Sequence, residues 1–107
     1  MLLVADSGST KADWKLCFKG ELIGDYVSMG FNPFFHDSQI VVKELSGIHG
    51  LMAHANDVHR IYFFGAGCSH PSRNQIIADS LKKVFPNARI NVDHDLDASA
   101  YATCGNE

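Results

Sequence analysis

Between residues 11 and 18 two sets of positions alternate, Ala12, Trp14, Leu16 and Phe18 against Lys11, Asp13, Lys15 and Cys17. A period of two is the signature of a strand with one buried and one solvated face, because successive side chains of an extended chain point to opposite sides. The preceding residues differ in kind: "LLVA" at 2–5 is a short apolar run, which reads as a strand of its own. Between the two lies "DSGSTK", Asp6 to Lys11, at the first turn of an antiparallel pair. "KG" at 19 and 20 signals a second tight turn, and "ELIGDYVSM" behind it supplies a third strand.

After this meander the pattern changes. Asp37 or Ser38 can cap a helix in which Val41, Leu45, Ile48 and Met52 recur at helical spacing. The spacing predicts a helix to about residue 54, with Gly47 and Gly50 weakening it. "RIYFFGAG" is apolar on both faces, as a central parallel strand covered by helices should be. Pro71 suits a first helical position, Ile77, Leu81 and Val84 mark one face, and Pro86 stops a helix over 71–85. "ARINVDH" reads as a strand, and "DLDASAYATCG" as a helix with Asp95 near its start and Gly105 near its end. The order β-β-β-α-β-α-β-α implies one α/β domain over residues 1–107 with a mixed five-stranded sheet.

Composition narrows what such a domain does. A net charge of −3 with no basic cluster argues against a nucleic-acid surface. Apolar runs reach only four or five residues and the N-terminus lacks the pattern of a secretory signal, so neither membrane nor export is expected, and the cytoplasm is. Cys17, Cys68 and Cys104 are odd in number and form no CxxC pair, which favours reduced thiols over disulfides or a zinc site.

In a sheet of this kind ligands gather beyond the carboxyl ends of the parallel strands. Three polar clusters fall there: "DSGSTK", "GAGCSH" and "DHDLD". Glycine and serine at a tight turn let backbone N–H groups point outward as an anion nest, while Asp6 can hold Mg²⁺ beside bound phosphates and Lys11 can add a point charge. Familiar phosphate loops fail on spacing. A Walker loop leads into a helix, whereas "GSTK" leads into a strand, and "GAGCSH" has His70 where GxGxxG needs its last glycine. A calcium loop in "DHDLD" fails as well, with Ala98 where glycine is required and Cys104 where the bidentate glutamate belongs. His49, His54 and His59 recur every five residues, not at the i, i+4 spacing that pairs imidazoles on one helical face, and read as surface or loop groups.

Taken together, these residues resemble the sugar kinase, actin and heat-shock-70 ATPase superfamily, in particular its N-acetylglucosamine kinase-like and BadF/BadG-type ATPase branch. "LLVADSGSTKADW" is similar to that family's first phosphate loop, "MGFNPFF" to a sugar-contacting segment, "FFGAGCS" to the strand and loop beside the substrate, and "VDHDLDASAYATCGNE" to the stretch with the catalytic aspartate. The resemblance implies a ribonuclease H-like (actin-like ATPase) domain forming the N-terminal lobe of a longer protein, with ATP and Mg²⁺ as cofactors. By this reading Asp6 supports the metal, and Ser7, Gly8, Ser9, Thr10 and Lys11 bind phosphate. Asn32, Cys68, Ser69 and Asp95 face the sugar, and Asp95 is the base, with Asp97 second in line and Asp93 a structural or orienting acid. The expected partners are a sugar or amino-sugar substrate and at most a second copy as a homodimer, with neither nucleic acid nor membrane. Two other enzyme readings stay open: an ATPase that activates a partner enzyme, and a metal-dependent nuclease with a ribonuclease H-like sheet using Asp6 and Asp95. The second lobe, with the adenosine site, should follow "CGNE", so the 107 residues alone are expected to be inactive.

Overall fold

A computed structural model describes residues 1–8, 10–31, 37–65 and 71–93, with side chains described for all of these except residues 71–73 and 93. Strands β1 (Leu2–Ser7), β2 (Lys11–Phe18) and β3 (Glu21–Met29) form the antiparallel meander. Helices α1 (Ser38–Ser46) and α2 (His49–Met52) lead to β4 (Arg60–Gly65), and α3 (Pro71–Val84) to β5 (Arg89–Asp93). β4 lies parallel to β1, and β5 parallel to β4, giving one mixed sheet in the order β3-β2-β1-β4-β5. The segment read as a last helix from Asp95 lies outside the described residues.

The second hairpin turn has positive φ at both Lys19 (51°) and Gly20 (79°). Two successive left-handed residues give a two-residue connection the twist that the flanking strands require, and glycine adopts that conformation at little cost.

Strand alternation divides the sheet into two faces. Leu3 and Ala5 of β1, Ala12, Trp14 and Leu16 of β2 and Ile61 and Phe63 of β4 join Val41, Leu45, Leu51, Ile77, Leu81 and Phe85 in the main core. Trp14 sits at its centre, fully buried, with Phe63 tilted against it at 5.8 Å and Phe31 edge-on at 6.3 Å between ring centroids. Its indole N–H donates to Ser28 Oγ at 2.8 Å, so the buried polar atom keeps a partner. On the opposite, outer face Leu2, Val4, Cys17 and Phe64 form a smaller cluster.

Two expectations need correction. The single helix to residue 54 is broken: Gly47 N–H closes on the Glu44 and Leu45 carbonyls, Ile48 turns to ψ 85°, and a separate short helix begins at His49. Glycine has little helical preference, so the helix is weakest where it ends, at Gly47. Cys17, read as a reduced thiol, is disulfide-bonded. It is fully buried on the outer face, and which thiol meets it there depends on chain packing that sequence spacing does not report. The N-terminus of α1 matches the reading, with Asp37 Oδ1 accepting from Ile40 N–H at 3.1 Å.

Candidate functional site

Three strand ends meet on one edge of the sheet. Asp6 is the register partner of Phe64, which in turn partners Asp93, and one step further Ser7 partners Gly65. Asp6 and Asp93 thus stand in one row two strands apart, about 10 Å between Cα atoms at ordinary strand spacing. Ser9, Asn32, Cys68, Ser69, Asp95 and Asp97 lie outside the described residues.

The turn "DSGSTK" separates by strand parity. Asp6 follows Leu2 and Val4 onto the outer face, where it is exposed, while Ser7 follows Leu3 and Ala5 toward the main core and is 3% exposed. Lys11 and Asp13 share the outer face with Asp6, Asp13 as its direct cross-strand partner. Neither carboxylate, nor the Lys11 ammonium, makes a hydrogen bond or ion pair among the described residues, whereas Lys15 on the same face pairs with Asp25 at 3.2 Å. An exposed carboxylate with a second one across the strand is a hard-oxygen donor set that suits Mg²⁺, so the residues present fit the metal that the family resemblance implies.

The backbone of the turn is partly committed. Gly8 N–H donates to the Lys11 carbonyl at 2.8 Å and closes the hairpin, so this amide is not free for an anion. Thr10 is exposed and makes no hydrogen bond among the described residues.

Sequence reading placed Ser7 among the phosphate contacts; the structure gives its hydroxyl partners of another kind. Ser7 Oγ accepts from Phe31 N–H at 2.8 Å and lies 3.3 Å from the Phe31 carbonyl, to which it donates. Beside this pair Gly30 is buried against the turn, where a Cβ would overlap the Gly8 carbonyl oxygen and lie 3.1 Å from Lys11 N. One residue earlier, Met29 N–H donates to Glu44 Oε1 of α1 at 3.2 Å. The segment 29–31, which precedes Asn32, is therefore fastened to the β1–β2 turn on one side and to α1 on the other. Sequence reasoning missed this clasp. The glycine at 30 was its only local signal, and nothing in the spacing pointed it at Gly8.

No family model matches the chain, and no curated protein matches it. Among solved structures it is similar to a Porphyromonas gingivalis protein that carries the provisional name N-acetylglucosamine kinase, with a TM-score of 0.79 and 33% identity. The match covers 100% of this chain and 38% of that one, so the chain spans well under half the length of the structure it resembles.

Proposed function

We propose that the chain is the N-terminal, substrate-side lobe of an ATP-dependent sugar kinase that phosphorylates N-acetylglucosamine or a related amino sugar, and that its sheet is of the ribonuclease H-like, actin-like ATPase kind. The carrying observation is the similarity to the Porphyromonas gingivalis structure along the whole of this chain. The convergence of the β1, β4 and β5 ends on one edge supports it, since phosphoryl transfer needs acceptor, phosphate and base close together.

Each residue then has a task. Lys11 and Thr10, both exposed, attract the phosphate tail at the turn. Asp6, with Asp13 beside it, would hold Mg²⁺, which when bound offsets charge on the phosphate oxygens. Asn32 orients the sugar. Asp95 takes the proton of the acceptor hydroxyl as its oxygen bonds to the γ-phosphorus and the bond from that phosphorus to the β,γ-bridging oxygen breaks, releasing ADP. The nuclease alternative lacks the support of the whole-chain similarity, and nothing in the described residues favours a partner-activating ATPase.

The test uses the complete two-lobed protein. Isothermal titration should detect binding of N-acetylglucosamine, and a coupled assay should detect ADP release that depends on it. Asp95→Asn should bind sugar and lower kcat by about a hundredfold or more. Absence of sugar binding, or full turnover in the variant, overturns the reading.

A further inference from the structure

We infer that Ser7 is a positioning residue for the sugar acceptor rather than a phosphate ligand, an inference that rests on the kinase reading above. Its hydroxyl is buried on the core side of β1, while Asp6 and Lys11 occupy the outer face of the sheet, so parity alone sends it away from those groups. It holds both polar groups of one residue, accepting from Phe31 N–H at 2.8 Å and donating toward the Phe31 carbonyl at 3.3 Å, with the Gly8 carbonyl 3.5 Å away as a weaker alternative.

The Phe31 carbonyl is part of the peptide plane that joins Phe31 to Asn32. Because a peptide unit is rigid, fixing its oxygen and the preceding N–H holds the backbone of Phe31, the residue next to Asn32 in the sequence. Phe31 adds its own anchor, buried and edge-on to Trp14. Gly30 lets the two backbones approach closely enough for the hydroxyl to reach, since any side chain there would meet the Gly8 carbonyl. One serine thus ties the start of the sugar-contacting segment to the turn that receives phosphate, 24 residues earlier in the chain. The hydroxyl sets the distance between the two substrates' sites without touching either substrate.

The experiment compares wild type and Ser7→Ala in the complete protein, measuring N-acetylglucosamine binding without nucleotide and ATP binding without sugar by isothermal titration. A positioning role predicts about a tenfold rise in the sugar Kd and an ATP Kd within about twofold of wild type, since a lost buried hydrogen bond is commonly worth that much. A direct phosphate contact predicts the reverse, and that result overturns the inference. Amide exchange gives an independent readout: in Ser7→Ala the Phe31 N–H should exchange at least tenfold faster while β4 amides stay protected, and unchanged Phe31 protection also overturns it. If wild type binds no sugar, the kinase reading fails and takes this inference with it. If wild type binds sugar and Ser7→Ala binds it equally well, only the inference fails.

Discussion

Asp6 on β1 and Asp13 on β2 are cross-strand partners, so two carboxylates rise side by side from the outer face of the sheet, neither of them paired with a described residue. Like charges directly opposite each other weaken an antiparallel pair. In metal-free buffer at low salt Asp13→Asn should therefore raise the unfolding free energy measured by urea titration by about 0.5 kcal/mol, with the gain shrinking as salt is added. Added Mg²⁺ should stabilise wild type more than Asp6→Asn or Asp13→Asn, because a ligand that binds only the folded state shifts unfolding by mass action. A loss of stability in metal-free Asp13→Asn would show an attractive contact instead.

Trp14 is the single tryptophan, and it is fully buried between Phe31 and Phe63. Its fluorescence should be blue-shifted in the folded chain and move to the red with unfolding, in step with circular dichroism. Trp14→Ala should cost about 3–5 kcal/mol, as large-to-small changes of buried aromatics do. Ser28→Ala strands the indole N–H and should cost about 1–3 kcal/mol.

The glycines should separate by what surrounds them. Gly30→Ala forces a Cβ into the Gly8 backbone, which has no flexible end to swing aside, and should cost about 2 kcal/mol or more. At Gly24 the obstacle is the tip of the Tyr26 side chain, which can rotate away, so Gly24→Ala should be milder. Gly20→Ala meets open space and bears only the strain of a positive φ, about 1 kcal/mol. Thermal or urea unfolding of the three variants checks the ranking.

Lys15 and Asp25 form an ion pair at 3.2 Å with side chains 34% and 55% exposed. Replacing Lys15 by Met should change stability by no more than about 0.5 kcal/mol, because exposed pairs gain little over solvation. Asp37→Ala, which removes the cap of α1, should cost more, about 1 kcal/mol. A double-mutant cycle and urea titration distinguish the two.

Much of this fold could be read in the chain because its signals are local. The alternation around Trp14, the run "LLVA", the Lys19–Gly20 turn and the Asp37 cap each depend on residues a few positions apart, and each is where it was expected. The break at Ile48 escaped because helical spacing continues through Met52, while the backbone leaves the helix at Ile48 with ψ 85°. Within the site, the strand-end placement of Asp6 followed from the same local patterns. The bond from Phe31 to Ser7 and the Asp6–Asp13 juxtaposition did not, since both arise from how separate segments are brought together. The Cys17 disulfide is illegible for the same reason.

Neighbouring side chains on β1 face opposite worlds, and that imposes an arithmetic on the chain. Inserting or deleting one residue between Leu2 and Asp6 would swing the carboxylate to the buried face beside Phe31 and turn the serine to the outer face, displacing the charge and breaking the clasp in one stroke. Changes of two residues would preserve the facing but shift the turn by about 7 Å along the strand. The first few residues therefore act as a ruler whose length is as consequential as its composition.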